Sequence, residues 1–148
     1  MSVDGTVTRL EIVENGGIEE LYQMFLGSIK KENGFIVVYS LEYRSSFMDA
    51  KRRCSDILKI QNRVNVPIII CANFSDTQDK RRVITRREGE ELAVIFNAKY
   101  FETSARLNTG ITETFSEMVR MLREMVPVET KQNIETEQTS EKKNCIVY

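Results

Sequence analysis

The chain has 148 residues, of which 41% are hydrophobic and 29% charged, and its formal net charge is −1. These values are ordinary for one globular domain with a single core, and they provide no basic surface for gathering nucleic acid. No apolar run is long enough to span a membrane, and the first residues lack the apolar segment of a secretory signal, so we expect neither.

Cysteine and histidine usage narrows the chemistry. The three cysteines are scattered at positions 54, 71 and 145, and the chain contains no histidine. Scattered cysteines argue against a disulfide framework and favour a reducing, cytoplasmic location. Without histidine, neither a Ser-His or Cys-His nucleophile pair nor a zinc site is expected.

The first half of the chain alternates between strand and helix patterns. Asp4-Gly5 is a hairpin-turn dipeptide, and the alternating segment 7–12 predicts a strand. Residues 19–26 predict a short helix, and the apolar run 35–39 predicts a strand covered on both faces. Ser45 is a candidate N-cap for the next helix. The apolar residues of that helix fall on one face: Phe47, Ala50, Cys54, Ile57 and Leu58.

The second half repeats the alternation. Residues 67–71 predict another buried strand and residues 100–102 a short one, while Thr85 and Glu88 form a capping box that opens a helix between them. The predicted inward residues of that helix are Leu92, Ala93, Ile95 and Phe96. A last helix, ended by Pro127, has its apolar stripe at Ile111, Phe115, Met118, Val119, Leu122 and Met125. This alternation predicts an α/β fold with a parallel sheet of four main strands.

The composition changes after the last helix. We predict a domain over residues 1–126 and a flexible tail over residues 127–148, which is rich in Glu, Thr, Gln, Lys and Ser. The tail ends in Cys145-Ile146-Val147-Tyr148, which has the shape of a C-a-a-X box. Cys145 is therefore a candidate prenylation site, although Tyr148 lies outside the usual last residues of such boxes; the alternative is a buried or idle thiol. One lipid would give weak, reversible attachment to the cytoplasmic face of the plasma membrane or another membrane.

Three segments of the chain resemble Ras-type small GTPases. Residues 10–20, LEIVENGGIEE, are similar to the family segment L-E-I-L-D-T-A-G-Q-E-E; residues 71–76, CANFSD, to the G-N-K-x-D segment; and residues 100–115 to the E-T-S-A-K strand and the start of the final helix. The similarity extends over residues 3–126. It implies a P-loop-NTPase-like (small G protein) fold, with a parallel sheet and helices on both faces.

The resemblance implies GTP or GDP with Mg²⁺ as ligand, and effector or regulator proteins rather than nucleic acid as partners. The Asp76 carboxylate would accept hydrogen bonds from N1 and N2 of guanine, which adenine cannot donate. The Ala105 amide would donate to O6, and Asn73 would tie its loop to the neighbouring segments. Phe74 stands where the family has lysine, and its ring could stack on the base or fill the core. The implied guanine-binding residues are Asn73, Asp76, Ser104, Ala105 and Arg106.

The phosphate side is reduced to remnants. The sequence contains no G-x-x-x-x-G-K-[ST] motif, so the first βα unit, the P-loop and switch I are expected to be missing. Glu14 replaces the aspartate that supports Mg²⁺ in the family, and Gly17 would offer an amide to a γ-phosphate. Ile18 replaces the glutamine that orients the attacking water. We therefore expect no catalytic residue and no protein metal site, with impaired nucleotide binding and hydrolysis.

The missing first strand would lie centrally in the family sheet, between the third and fourth strands. One topologically allowed repair is for residues 6–13 to pair directly with residues 35–41. We expect the stability to be marginal. Three interpretations remain open. The chain is an incomplete product of a small-GTPase gene, a nucleotide-free pseudo-GTPase acting as a membrane-tethered protein-binding module in signal transduction, or a product without function.

Overall fold

The computed structural model describes residues 1–14, 22–125 and 143–147. Its main strands are β3 (Leu10–Glu14), β4 (Gly34–Ser40), β5 (Ile68–Asn73), β6 (Lys99–Thr103) and β7 (Lys143–Val147). They form one five-stranded parallel sheet in the order β3-β7-β4-β5-β6. Before them, β1 (Ser2–Val3) and β2 (Thr6–Val7) form an antiparallel hairpin. Asp4 and Gly5 turn this hairpin with positive φ angles, which confirms the predicted turn.

Helices lie on both faces of the sheet, as the resemblance implied. They are α1 (Tyr22–Ile29), α2 (Arg44–Gln61), α3 (Arg86–Ile95) and α4 (Ile111–Glu124), with a 3₁₀ turn at Asp79–Arg81. The described part of the first helix begins and ends later than the predicted helix 19–26. None of the helices within the described segments is long and apolar enough to cross a membrane.

The pleat of β4 and β5 divides the core into two clusters, one on each face of the sheet. Phe35 and Ile70 point into the larger cluster, together with the buried faces of α2 and α3. Ile36 and Ile69 point the other way, against Met118 of α4. Because neighbouring residues of one strand face opposite sides of the sheet, both strands are apolar along most of their length, which is why the continuous apolar runs predicted them correctly.

The sequence predicted the N-cap of α3 correctly and the N-cap of α2 incorrectly. Thr85 and Glu88 form the predicted capping box at α3. Ser45 does not cap α2, so that prediction is wrong. The N-cap is Tyr43, without a side-chain hydrogen bond to the helix. Ser46 supports this turn instead, because its hydroxyl accepts from the Ser40 amide at 3.0 Å and donates to the Tyr43 carbonyl at 2.8 Å.

The predicted burial of α3 also needs one correction. Leu92, Ala93 and Phe96 are buried as expected, but Ile95 is 65% exposed. The helix ends at Ile95, and the chain turns there so that Phe96 rather than Ile95 reaches the core. The predicted inward position of Ile95 was therefore wrong.

The structure departs furthest from the sequence prediction at β7. Residues 143–147 lie within the segment predicted as a flexible tail, yet they form a strand between β3 and β4. The direct pairing of residues 6–13 with residues 35–41, which the topology allowed, is not formed, because β7 separates β3 from β4. Residues 15–21, 126–142 and 148 lie outside the described residues.

Candidate binding site at the carboxyl edge of the sheet

A pocket of about 510 Å³ lies where β4, β5 and β6 end. Because these strands are parallel, their carboxyl ends share one edge of the sheet, the edge at which open α/β sheets bind ligands. The volume falls within the range of about 300–1,000 Å³ that is common for small-molecule sites. The lining residues are Glu42, Asn73, Phe74, Asp76, Thr77, Gln78, Arg81, Ala105 and Arg106.

Asn73 joins the two loops that follow β5 and β6. Its Oδ1 accepts hydrogen bonds from the Ala105 amide at 3.2 Å and from the Thr103 hydroxyl at 3.4 Å. The Ser75 amide donates to the Thr103 carbonyl at 2.9 Å, which adds a backbone link between the same loops. The Ala105 amide, which the resemblance would direct at guanine O6, thus has an internal acceptor in this structure.

Asp76 is held in place by a buried hydroxyl. Ser104 is fully buried, and its Oγ donates to Asp76 Oδ1 at 2.6 Å while it accepts from the Leu107 amide at 3.1 Å. The Ser104 hydrogen bond lowers the pKa of the Asp76 carboxyl below its ordinary value. The side chain is therefore an ionised acceptor at neutral pH, fixed at the pocket wall.

The second carboxylate oxygen faces a weaker partner. Arg106 Nη1 lies 3.6 Å from Asp76 Oδ2, and the Arg106 side chain is 83% exposed whereas that of Asp76 is 14% exposed. Solvent screens such a pair, which contributes only about 0–1 kcal/mol. A ligand with N–H donors can displace Arg106 from Oδ2 at small cost, while Ser104 keeps its hold on Oδ1.

Phe74 stands at the mouth of this pocket. Its φ of +68° is unusual for a residue with a side chain, and 47% of its surface is exposed. The core-filling role left open in the sequence therefore does not apply in this structure. The ring instead offers an aromatic face beside the carboxylate of Asp76.

A cluster of hydrogen-bonded side chains that the sequence did not predict supports the β6 end of the site. The guanidinium of Arg82 contacts the Glu102 carboxylate through both Nη atoms, at 2.5 and 3.3 Å. Tyr100 donates to the same carboxylate at 2.9 Å. The Arg82 hydrogen bond keeps the pKa of Glu102 below its ordinary value. This cluster fixes the strand immediately before Thr103 and Ser104.

The sequence prediction also missed a group of polar residues that line the pocket near the end of β4. Thr77 donates a hydrogen bond to the Glu42 carboxylate, and Arg81 Nη1 lies 3.7 Å from the same oxygen. The position of Glu42, two residues after the apolar strand β4, was the available signal. It places a carboxylate at the same sheet edge as Asn73.

Of the predicted phosphate-side residues, only one lies within the described segments. Glu14 is exposed at the carboxyl end of β3, whereas Gly17 and Ile18 lie outside the described residues. Within the segments that the structure describes, no group of three or more cysteine or carboxylate side chains is arranged to hold a metal ion.

Comparison with known proteins gives the family of the chain. Residues 1–124 match the model of the Ras family. The chain is 32% identical to Ras-related protein R-Ras of Rattus norvegicus over 122 residues, which cover 82% of this chain and 56% of the relative. It is 32% identical to Ras-like protein rasC of Dictyostelium discoideum over 149 residues, which cover 99% of this chain and 76% of the relative.

A third relative, the Ras-like protein of Laccaria bicolor, is 34% identical over 121 residues, which cover 82% of this chain and 57% of that protein. The chain thus spans little more than half the length of the R-Ras and Laccaria relatives. The family match nevertheless extends over the hairpin, β3 to β6 and α4, including both loops of the pocket. On these grounds, the chain belongs to the Ras family.

Proposed function

We propose that this chain is a Ras-family signalling protein that contacts the guanine base of GTP or GDP weakly and hydrolyses GTP poorly or not at all. One observation carries the proposal. The hydroxyl of the buried Ser104 donates a 2.6 Å hydrogen bond to the ionised carboxylate of Asp76, which lines the pocket at the carboxyl ends of three parallel strands. A fixed carboxylate is the acceptor that guanine requires.

The chemistry of the base explains the expected specificity. Guanine presents two adjacent donors, at N1 and N2, whereas adenine has an unprotonated N1 and cannot donate there. A charged acceptor left facing a non-donor loses its hydrogen bonds to water without replacement, which is the stronger source of discrimination. Asp76 therefore selects guanine more by rejecting adenine than by binding guanine tightly.

The expected affinity is low because the phosphates lack their usual partners. A P-loop supplies several charge-assisted hydrogen bonds of about 1.5–3 kcal/mol each. Five such bonds amount to roughly 8–15 kcal/mol, and a nanomolar complex has a binding free energy of about 12 kcal/mol. The 148 residues contain no P-loop motif, so base contact alone supports dissociation constants near or above about 1 mM.

The base contact can be tested by NMR titration of the ¹⁵N-labelled chain with guanosine, inosine and adenosine. We expect guanosine to shift amides in residues 73–77 and 104–107, inosine to bind more weakly because it lacks the N2 donor, and adenosine to leave them unchanged. Asp76→Ala should abolish the response. Asp79→Ala is the matched control, because it removes the same charge from an exposed position near the pocket. Equal responses to adenosine, or an unchanged response in Asp76→Ala, would refute the assignment.

The phosphate side has its own tests. GDP should bind within about tenfold of guanosine, with little effect of Mg²⁺, and tighter binding by several orders of magnitude would reveal a phosphate site. In single-turnover measurements with labelled GTP and Mg²⁺, we expect no turnover by this chain alone. Turnover that disappears in Asp76→Ala would contradict this part of the proposal.

A second candidate function is a nucleotide-free pseudo-GTPase that acts as a protein-binding module. It is favoured by the internal partners of the site, because Asn73 already accepts the Ala105 amide and Arg106 already faces Asp76. Under this function the pocket loops are rigid without nucleotide, and effector or regulator proteins bind independently of GTP. No guanosine response at up to about 10 mM, together with a folded spectrum, would favour this function over the first.

The membrane part of the proposal concerns Cys145. Prenylation there would give weak and reversible membrane attachment, since a single lipid is marginal on its own. The thiol is fully buried in β7, so it must leave the sheet before any enzyme can modify it. Attachment and sheet pairing at Cys145 are therefore alternatives.

A further inference from the structure

We propose that β7 is a detachable strand. Docked between β3 and β4, it completes the sheet and shields Cys145; released, it exposes this thiol and leaves β3 and the facing edge of β4 without their described strand partner, while the rest of the domain stays folded. The proposal does not depend on guanine binding. Only its consequence for lipid attachment rests on the modification proposed for Cys145.

Docking conceals the thiol completely. β7 pairs in parallel with residues 10–14 on one side and with residues 34–36 on the other. Cys145 is 0% exposed and belongs to the smaller core cluster with Ile36, Met118 and Leu122. Burial also raises the pKa of the thiol to about 12. Because the thiolate is the reactive form, a docked Cys145 neither meets a reagent nor ionises to react with it.

β7 pairs with β4 over a shorter length than β5 does on the other side of β4. It pairs with β4 at three register positions, whereas β4 pairs with β5 at six. The larger cluster joins α2, α3, β4 and β5, and none of its described members belongs to β7. Cys145 and Val147 contribute to the smaller cluster, whereas Ile146 is in register with Phe35 of the larger one. Release of β7 therefore affects the smaller cluster most and leaves the packing of α2 and α3 against β4 and β5 in place, which is the condition for opening below the global unfolding free energy.

One group next to the strand opposes docking. Glu32, two residues before β4, is 8% exposed, and its Oε2 has no hydrogen-bond partner among the described residues. Burial raises the pKa of the Glu32 carboxyl; the charge of Glu11 in β3 raises it further, and Lys31 lowers it. After burial, the charge of Glu32 is the second cause that raises the pKa of the Cys145 thiol. A buried carboxylate without a partner destabilises the closed state, because water can solvate it once the strand leaves.

The test is thiol labelling of the full chain under native conditions, with Cys54, Cys71 and Cys145 resolved by peptide mass. Cys54 is the internal reference, because it is fully buried in the larger cluster and requires global unfolding to react. We expect Cys145 to react at least about 100-fold faster than Cys54, and at least about 10-fold slower than in the urea-unfolded chain. Equal rates at Cys145 and Cys54 would overturn the proposal, as would a Cys145 rate equal to that of the unfolded chain.

Two variants should move the Cys145 rate in opposite directions. Val147→Asp places a charge against the smaller cluster and should accelerate labelling of Cys145 by about tenfold or more, with Cys54 unchanged. Its matched control is Val94→Asp, at a position that is 80% exposed, which should change neither rate. Glu32→Gln removes the opposing charge and should slow Cys145 labelling. Equal acceleration of Cys145 and Cys54 in Val147→Asp, or faster Cys145 labelling in Glu32→Gln, would contradict the proposal.

Discussion

Gly89→Ala tests whether close packing or helix propensity decides the stability at α3. Alanine is favoured over glycine inside a helix by about 1 kcal/mol. At Gly89, however, a Cβ atom would lie 2.6 Å from the Tyr39 hydroxyl and closer still to the Tyr100 ring. Tyr39 cannot retreat freely, because its ring packs edge-on against Phe47 at 5.2 Å between centroids.

The expected magnitude follows from these two opposing effects. Forcing an extra methyl group into a packed site costs about 1–3 kcal/mol, which equals the propensity gain at its lower end and exceeds it over the rest of the range. We therefore expect Gly89→Ala to lower the free energy of unfolding by up to about 2 kcal/mol. Gly27→Ala is the matched control, because Gly27 is an exposed position of α1 where a Cβ would meet nothing within 4 Å. That variant should stabilise by about 0.5–1 kcal/mol.

Urea unfolding followed by far-UV circular dichroism provides the measurement, with the parent chain and both variants at one temperature. The two midpoints should move in opposite directions with similar slopes. If Gly89→Ala rises together with Gly27→Ala, the contact of α3 with Tyr39 and Tyr100 does not have the described geometry. If Gly27→Ala falls, the stated position of that glycine in α1 is wrong.

Three further predictions concern the site, the helix cap and the tail. Ser104→Ala removes the donor to Asp76, so the pKa of Asp76 should rise towards its ordinary value and the guanosine response should weaken; an unchanged carboxyl titration by NMR would contradict this. The hydrogen bond from Arg44, with those from Thr85, lowers the pKa of Glu88 to about 2. Because this pKa lies below the ordinary value of 4.5, the ionised carboxylate stabilises the fold above pH 4.5, and this stabilisation is lost as the pH falls towards 2. In acid titrations across that pH range, Glu88→Gln should therefore lose less stability than the parent chain. If Cys145 carries a prenyl group, Cys145→Ser should reduce the membrane-bound fraction in the native cell, and an equal distribution of both forms would rule the anchor out.

The elements that the sequence predicted correctly are those whose signals are local. Thr85 and Glu88 are three positions apart, and their capping box depends on nothing else. The apolar runs in β4 and β5 required only that both faces of the sheet be covered. β7 carries no such signal, because its five residues include Lys143 and Asn144, and it becomes a strand by pairing with β3 and β4. Such distant pairing cannot be predicted from local composition.

The site shows the same division. Asn73, Asp76 and Ser104 could be named because their spacing resembles that of a known family. The carboxylate of Glu102 also lies in that segment, but its partner Arg82 is far away in sequence and follows the 3₁₀ turn. The prediction that Ser45 caps α2 was wrong because serines at positions 40, 45 and 46 all lie near the start of the helix, and the sequence does not show which hydroxyl will bond to the backbone there. Geometry, not residue type, selected Ser46.

The place of β7 in the sheet has a consequence for how the chain is made. β7 is the last strand in chain order, yet it lies between β3 and β4, which leave the ribosome much earlier. During synthesis β4, β5 and β6 can associate as they emerge, but β3 lacks the strand that joins it to the sheet until residues 143–147 arrive. The nascent chain therefore carries two unpaired strand edges for most of its synthesis, the kind of surface that chaperones protect and that aggregates when it is left open. A stop codon anywhere before residue 143 would make that transient state permanent.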